Sequence, residues 1–172
     1  AFNSDGTKMF ISGPVGDDVN EYTLSTGFDL TSTVTFIDNF DASSQDSDVR
    51  GLTFNNDGTK MFIVGMISKK IFEYNLSSPF NISTANYLGD SESFYLGNEE
   101  SQPNSMVFNS DGTKMFVIGY YPGDHVYEYT LSFAFDVSSA VFSGDSERFQ
   151  INNQETSPTS IAFNNDGTKM FI

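Results

Sequence analysis

The sequence predicts an all-β protein built from repeated four-stranded antiparallel units, and three observations support this. A phrase of the form F-N-[SN]-D-G-T-K-M-F begins at Phe2, Phe54, Phe108 and Phe163, in steps of 52, 54 and 55 residues. The 18 Phe and 8 Tyr favour a pleated strand surface over a helix. Tight-turn residues separate short stretches of alternating hydrophobicity. A repeat of this length, with four strands per unit, is typical of a β-propeller blade.

The first hairpin of each unit is clearest in the second repeat. Val49–Phe54 alternates as a first strand, and the letters "NNDG" follow it. Gly58 accepts a positive φ and Asp57 tolerates one, so this stretch predicts a tight turn. Lys60–Gly65 is then the returning second strand.

The outer half of the unit begins with a third strand, "IFEYNL", which places Phe72, Tyr74 and Leu76 on one face. The letters "SSPFNISTA" follow as a structured connection. A weaker fourth strand is expected from residues 85–88, or onward to Tyr95. Related stretches start at Glu21 and Glu128, so all three complete units share the plan.

One propeller segment is therefore expected over residues 1–172, with blades at 1–48, 49–102 and 103–157 and the first hairpin of a fourth at 158–172. A β-solenoid has shorter coils, and a separate four-stranded unit could barely bury its faces. Since rings use about 4 to 8 blades, closure needs further blades of the same chain or a second copy. The repeated terminal hairpin favours further blades of a longer chain, because in a dimer it would be redundant.

The motifs "NSDGTKMF", "EYTLS" and "FDLTST" also resemble the DGTK-type repeats of secreted or surface propellers from bacteria and phages. They are more distantly similar to the YVTN and TolB propellers, whose hairpins carry "SPDGK". This sequence has Ser or Asn where that proline stands, at Ser4, Asn56, Ser110 and Asn165. The resemblance covers the whole chain and implies a propeller at the cell surface, on a virion or outside the cell. Propellers serve as scaffolds, lectins, adhesins and enzymes, so it implies no single activity.

The net charge of −15, from 23 acidic and 8 basic residues, argues against two classes of partner. A polyanion repels nucleic acid and anionic membrane surfaces. No run of about 18 apolar residues occurs, so membrane insertion is not expected. The absence of cysteine excludes disulfides and thiolate zinc sites.

Residues that stay constant between units are expected to be structural. The repeated aspartates are interpreted as turn formers: Asp5, Asp57, Asp111 and Asp166. The repeated lysines are expected to meet the mid-strand glutamates on the surface, each pair contributing at most about 1 kcal/mol. These residues are Lys8, Lys60, Lys114 and Lys169, with Glu21, Glu73 and Glu128.

Residues that differ between units at equivalent positions are candidates for ligand binding. Successive turns of an antiparallel meander alternate ends, so the loop between strands two and three lies on one face with the link to the next blade. This loop is acidic in the first and third units and basic in the second. Exposed tyrosines in the longest loop could stack on a sugar ring. The predicted ligand-binding residues are Asp17, Asp18, Lys69, Lys70, Tyr120, Tyr121, Asp124 and His125.

A second set lies in the links between units, where Asp46, Glu100 and Glu155 each stand eight residues before a repeated phenylalanine. Rotation from blade to blade would place these carboxylates in an arc near one mouth of the channel. Such an arc could attract Ca²⁺, which prefers oxygen ligands. The alternative is that each acid accepts hydrogen bonds from backbone N–H groups where strand one begins.

The sequence offers little that indicates catalysis. It contains a single histidine, His125, no cysteine and no G-x-S-x-G nucleophile motif. The favoured hypothesis is a non-catalytic extracellular propeller for adhesion or interaction, which recognises a glycan or a protein through its variable loops. Two alternatives remain open: a secreted, Ca²⁺-assisted hydrolase of the lactonase type, and a purely structural repeat module.

Overall fold

A computed structural model of the chain describes residues 1–120 and 124–172. Strands form most of its regular structure: β1 (Lys8–Gly13), β2 (Asp18–Leu24), β3 (Val34–Asp41), β4 (Val49–Phe54), β5 (Lys60–Gly65), β6 (Lys70–Leu76), β7 (Ala85–Tyr87), β8 (Ser93–Tyr95), β9 (Pro103–Phe108), β10 (Lys114–Gly119), β11 (His125–Leu131), β12 (Ala140–Phe142), β13 (Arg148–Gln150), β14 (Ala162–Phe163) and β15 (Met170–Phe171). Short 3₁₀ helices connect some of them: η1 (Ile82–Thr84), η2 (Asp90–Glu92), η3 (Val137–Ser139) and η4 (Asp145–Glu147).

The strands form successive antiparallel sheets that follow chain order. The sheets run β1-β2-β3, β4-β5-β6-β7, β9-β10-β11-β12 and β14-β15. In the first sheet, an isolated bridge between Phe2 and Met9 stands where a first strand would pair. The predicted all-β propeller segment of three blades and one further hairpin is confirmed, while the exact blade limits stay a prediction.

In the second and third blades the fourth strand is divided into two short strands, whereas in the first blade it is the single strand β3. Both β7 and β8 pair with β6, and both β12 and β13 pair with β11. Gly89, with a φ of 109°, begins the η2 helix between β7 and β8. A backbone in this conformation suits glycine and interrupts the strand. The weak strand signal over residues 85–95 therefore reflects two short strands around a 3₁₀ turn.

The hairpin between the first two strands is held by its own side chains. The Asp57 carboxylate accepts hydrogen bonds from the Thr59 backbone N–H at 3.0 Å and from the Thr59 hydroxyl at 2.6 Å. The side-chain carbonyl of Asn55 accepts from the Lys60 N–H at 2.9 Å. Gly58 has a φ of 71°, which a residue with a side chain rarely adopts. The repeated aspartates are thus turn residues, as the sequence predicts.

Aromatic rings form much of the core between blades. Phe10 of the first blade lies 4.6 Å from Phe54 of the second, and Phe54 lies 5.4 Å from Phe80, between ring centroids. The ring of Phe80 covers Gly58 so closely that a Cβ there would lie 2.2 Å from it. The hairpin glycine is required for this packing as well as for its φ.

The repeated lysines and glutamates join neighbouring blades. Lys8 Nζ lies 2.7 Å from Glu21 Oε1 and donates to the backbone carbonyl of Phe80 at 2.6 Å. The other oxygen of Glu21 accepts from the Ile82 N–H at 3.1 Å. We call this arrangement the Lys–Glu clamp, because a pair on one blade holds the backbone of the next.

The clamp repeats at the second boundary. Lys60 pairs with Glu73 and donates to the Phe135 carbonyl at 2.9 Å, while the Val137 N–H donates to Glu73 at 3.1 Å. The expectation of exposed surface pairs is wrong here, since Glu21 is 1% exposed and Glu73 is 3% exposed. The next blade covers both carboxylates, which the sequence of one unit does not reveal.

Candidate functional site

A cleft of about 230 Å³ opens beside the boundary between the second and third blades. It is smaller than the roughly 300–1,000 Å³ pockets that hold drug-sized ligands. Polar and ionisable side chains dominate its lining. We call it the blade 2–3 cleft; its residues are Asn98, Glu99, His125, Tyr127, Phe142, Asp145 and Arg148.

Three strands, the η4 helix and one link bring these groups together. His125 and Tyr127 are two residues apart on β11, so both side chains lie on one face of the sheet. The pairing of β11 with β13 sets Arg148 directly opposite Tyr127. Glu99 comes from the link that enters the third blade, and its N–H donates to the Leu96 carbonyl at 3.0 Å.

His125 is the histidine that lines this cleft. Burial lowers the pKa of its imidazole below 6.5, and the nearby Arg148 charge lowers it further, while Asp124 and Asp145 act in the opposite direction. The imidazole is therefore neutral at pH 7. Its Nδ1 is buried and has no hydrogen-bond partner within residues 1–120 and 124–172. An unpaired buried nitrogen of this kind is expected where a ligand or water completes the site.

Glu99 and Tyr127 add a carboxyl group and a hydroxyl group. Burial raises the pKa of Glu99 above its ordinary value, and the buried Tyr129 hydroxyl lies beside it. Tyr127 is 2% exposed, and burial is the main cause that raises its pKa to about 12. In the described part of the chain, no protein group hydrogen-bonds the Tyr127 hydroxyl, which therefore remains a protonated donor for a ligand.

Arg148 provides a cation at the outer edge of the cleft. Its guanidinium lies 3.3 Å from the Asp145 carboxylate, and both side chains are substantially exposed. Such a pair contributes little to stability. The guanidinium keeps donors that can bind a carboxylate, a phosphate or a developing oxyanion.

The preceding blade boundary provides an internal comparison. Strand pairing makes Lys70 equivalent to His125, Phe72 to Tyr127 and Ser93 to Arg148, and chain alignment makes Gln45 equivalent to Glu99. At the preceding boundary, Tyr74 is equivalent to Tyr129. Its hydroxyl donates a hydrogen bond to the Gln45 side chain at 3.1 Å. At the blade 2–3 boundary the amide is thus replaced by a carboxyl group and the ammonium by an imidazole. The phenyl ring is replaced by a phenol and the hydroxyl by a guanidinium.

Of the eight predicted ligand-binding residues, His125 is the one that lines the blade 2–3 cleft. Asp17, Lys69 and Asp124 occupy equivalent turn positions, with φ values of 53°, 57° and 50°. Asp18 accepts from the Asn20 side chain at 2.9 Å, and Lys70 lies 3.3 Å from Asp90. Tyr120 is exposed, and Tyr121 lies outside the described residues. A common site for this set stays a prediction.

The three link carboxylates receive backbone hydrogen bonds where the first strands begin. Asp46 accepts from the Asp48 N–H and from the Ser68 N–H, both at 2.7 Å. Glu100 accepts from the Gln102 N–H, and Glu155 from the Ser157 N–H, also at 2.7 Å. Asp46 and Glu100 are buried and Glu155 is exposed. These contacts match the structural alternative; the predicted calcium arc stays a prediction.

A different group of carboxylates could hold a cation. Oxygens of Glu73, Glu92 and Asp136 lie within 4.8 Å of one another. Burial raises the pKa of Glu73 in spite of Lys60, whose ammonium lies against it. Asp136 accepts from the Ser138 N–H at 3.0 Å. A cation here would compete with the lysine that already neutralises one of the three ligands.

Sequence reasoning missed Glu99, Tyr127, Asp145 and Arg148. It compared the loops between strands two and three but did not compare equivalent positions along the outer strands. The signal was present in the letters: "SERFQ" replaces "SESFY", and "HVYEY" replaces "KIFEY". Comparing the two units along β11 and β13 would have indicated the tyrosine and the arginine.

Comparison with solved structures supports the fold. The chain is 18% identical to a functionally unknown protein from Desulfotomaculum acetoxidans, with a TM-score of 0.63, over 100% of this chain and 49% of that one. It is 10% identical to a Bacteroides uniformis protein provisionally assigned as a 6-phosphogluconolactonase, with a TM-score of 0.65, over 99% and 45%. It is 15% identical to a periplasmic gluconolactonase of Pseudomonas aeruginosa, with a TM-score of 0.59, over 99% and 44%.

The chain thus spans about half the length of the structures it matches. No family model and no curated protein sequence matches it. At these identities the likeness establishes a propeller-like fold. It does not extend to the DGTK-type repeat family that the sequence motifs resemble.

The expectation that the protein is not an enzyme needs correction. Structural neighbours of the chain carry lactonase names, so proteins of this fold include ones named as enzymes. The sequence argument relied on a single histidine and a missing nucleophile motif, but hydrolysis by activated water needs neither a catalytic serine nor a second histidine. Within the described residues, no helix is long and apolar enough to cross a membrane.

Proposed function

We propose that this chain contributes the active site of a propeller hydrolase that opens a small lactone, with catalysis in the blade 2–3 cleft. The observation that carries the proposal is the change at one blade boundary from a non-catalytic residue set to Glu99, His125, Tyr127 and Arg148. The lactonase names among the structural neighbours support the same reaction class. Perturbed ionisable groups that meet in a cleft are typical of catalytic sites.

Opening a lactone by water requires three tasks from the protein. A base takes a proton as the water oxygen bonds to the ring carbonyl carbon, a donor stabilises the oxyanion, and an acid protonates the ring oxygen as its bond to that carbon breaks. The product is the open hydroxy acid, so one water is consumed and no further reactant is needed.

The four side chains suit these tasks. His125, neutral at pH 7, can accept the proton from water and return it to the departing ring oxygen. Arg148 and the Tyr127 hydroxyl are donors that can stabilise the oxyanion. Glu99, with its raised pKa, can orient the water or stabilise the imidazolium that forms.

The size and charge of the cleft indicate the substrate class. A volume of about 230 Å³ suits a single sugar-acid ring. The chain is strongly acidic overall, so Arg148 is the group that would attract a carboxylate or a phosphate on that ring. We therefore propose a sugar-acid lactone, with or without a phosphate group, as the substrate.

Hydrolysis of glucono-δ-lactone and of its 6-phosphate, followed by pH-stat titration and corrected for spontaneous opening, tests this proposal. The variant E99Q/H125K/Y127F/R148S gives the cleft the residues of the preceding boundary. We expect it to fold normally by circular dichroism and to lose the catalysed rate, because losing a general base alone costs about 10²–10⁴-fold.

The matched control is K70H, which places a histidine at the equivalent position of the second blade. It should leave the rate unchanged, because Gln45, Phe72 and Ser93 stand there in place of the carboxyl, phenol and guanidinium of the cleft, although Asp90 lies near position 70. A wild-type rate no faster than spontaneous opening would reject the lactonase proposal. Equal rates for the wild type and the fourfold variant would place catalysis elsewhere.

A further inference from the structure

The first strands of neighbouring blades meet where the sheets converge. Strand β4 contacts β9, and a Cβ on Gly51 would lie 2.9 Å from the backbone carbonyl oxygen of Asn104. The missing side chain at Gly51 therefore allows the two strands to approach closely. The Ser12 hydroxyl donates to the Arg50 carbonyl at 2.6 Å, and the Asn104 side-chain amide donates to the Pro158 carbonyl at 3.0 Å. These contacts hold the inner segments of successive blades at fixed positions.

Three equivalent positions on these inner segments differ in their chemistry. Arg50, Asn104 and Thr159 each stand four residues before a repeated phenylalanine. All three line one cavity of about 200 Å³, together with Ser12, Gly13 and Pro14. Among the described residues of this lining, Arg50 is the one with a charged side chain. We call Arg50, Asn104 and Thr159 the inner-strand site.

The guanidinium of Arg50 is held in one orientation by Asp48. Its Nε donates to Asp48 Oδ1, and its Nη2 donates to Oδ2 at 2.9 Å. Asp48 is fixed in turn, because its N–H donates to the buried Asp46 carboxylate at 2.7 Å and its carbonyl accepts from the Met66 N–H at 3.0 Å. The Arg50 side chain is 36% exposed. Its remaining N–H groups, on Nη1 and on the outer side of Nη2, are donors for a ligand.

The comparison between blades shows that this charged pair belongs to one inner segment. The residues equivalent to Asp48 are Gln102 and Ser157, and neither is acidic. The second blade thus provides a fixed cation, while the two following segments provide an amide and a hydroxyl. A guanidinium binds a carboxylate through two parallel N–H groups. Amide and hydroxyl groups can both donate to and accept from the hydroxyls of a ligand.

We propose that the inner-strand site binds a small hydroxylated carboxylate, with its carboxylate on Arg50 and its hydroxyls on Asn104 and Thr159. Asp48 offsets the charge of Arg50, and the net charge of −15 repels anions in general. A bare anion therefore gains little here, and the hydroxyl contacts supply the rest of the affinity. The lining of this cavity shares no residue with the blade 2–3 cleft, so the proposal does not depend on the lactonase activity.

Titration of the ¹⁵N-labelled chain with sodium gluconate, followed by ¹H–¹⁵N correlation spectra at constant ionic strength, tests this site. We expect saturable shifts of the Asn104 side-chain amide and of the Arg50 and Thr159 backbone N–H groups. Sodium acetate lacks the hydroxyls and glucose lacks the carboxylate. Each should bind at least about tenfold more weakly, because each loses one set of hydrogen bonds. Acetate binding as tightly as gluconate would overturn the proposed ligand class.

The variant R50Q removes the cation and keeps a side-chain amide. It should bind gluconate at least about tenfold more weakly, since a charge-assisted pair of hydrogen bonds is lost. Its circular dichroism should match the wild type, because Ser12 bonds to the backbone of Arg50. K70Q is the matched control, since Lys70 also pairs with a carboxylate, at 3.3 Å from Asp90, and lies outside the site. It should bind gluconate as the wild type does.

Two further outcomes would overturn the proposal. One is equal affinity of R50Q and the wild type for gluconate. The other is the absence of saturable shifts at the inner-strand site. Shifts confined to His125 and Arg148 would place gluconate in the blade 2–3 cleft, which would reject the inner-strand site and leave the lactonase proposal standing.

Discussion

At the scale of single residues, the ionisable groups of this protein fall into two kinds. Glu21 and Glu73 are buried under the next blade and hold its backbone. His125 and Glu99 have shifted pKa values but leave polar atoms directed to a cleft. The first kind holds neighbouring blades together, and the second kind lines the cleft in which we propose catalysis.

The shift at His125 predicts the pH dependence of the proposed reaction. The neutral imidazole is the active form, so kcat/KM should fall as the pH drops through a pKa below 6.5. At pH 7 the neutral imidazole should already be the major form. Initial rates from pH 5 to 8, corrected for spontaneous opening, measure this. A limb centred above pH 7 that disappears in H125K would contradict it.

The Lys–Glu pair is buried at Glu73 and more exposed at Glu128. The same substitution, glutamate to alanine, should therefore lower the free energy of unfolding by different amounts at the two positions. E73A leaves the Lys60 ammonium unpaired at the blade boundary, which costs about 3–5 kcal/mol. E128A removes a pair whose lysine side chain is 46% exposed, so its cost should be at most about 1 kcal/mol. Urea unfolding of both variants measures the difference, with the second as the matched control. Equal costs would show that the clamp adds no stability.

At the scale of elements, the hairpin and the connection after the third strand act together. Gly58 supplies the left-handed turn, and its missing side chain gives room to Phe80. The ring then contacts Phe10 and Phe54 of two different blades. A local turn thus sets the spacing between sheets.

This coupling predicts that G58A is much more destabilising than G13A. The left-handed backbone costs an alanine about 1–2 kcal/mol, and its Cβ would lie 2.2 Å from the Phe80 ring, which adds about 1–3 kcal/mol of overpacking. Gly13 has no atom within 4 Å of an added Cβ, so G13A should change stability by less than about 0.5 kcal/mol. Thermal and urea unfolding measure both. Similar midpoints for the two variants would contradict this account.

At the scale of the whole molecule, a net charge of −15 opposes compaction by self-repulsion. The melting temperature should rise as NaCl increases from about 10 mM to about 150 mM, since the Debye length shortens from about 30 Å to about 8 Å. Differential scanning fluorimetry measures this. A flat or falling melting temperature would show that repulsion is not a significant cost.

Calcium at matched ionic strength separates screening from a specific site. The melting temperature could rise more with CaCl₂ than with MgCl₂. If E92Q abolished that difference, the group of Glu73, Glu92 and Asp136 would be identified as a cation site. Because Lys60 already lies against Glu73, we expect no such excess. The same titration on E155Q examines the predicted calcium arc.

Much of the fold follows from short-range patterns along the chain. The spacing of the repeated phenylalanines gives the blade length, and the Asp-Gly turns with their flanking alternation give the hairpins. These features depend on residues a few positions apart, so one unit of sequence contains all the information they need.

The burial of Glu21 and Glu73 and the formation of the blade 2–3 cleft depend on contacts between units. Lys8 meets Phe80 across 72 positions of sequence, and the cleft joins a link residue, Glu99, to an outer strand that carries Arg148. No periodicity within one unit encodes such a contact, because it arises only when one blade packs against the next. The repeat therefore specifies the blade, while the packing between blades creates the candidate site and its electrostatics.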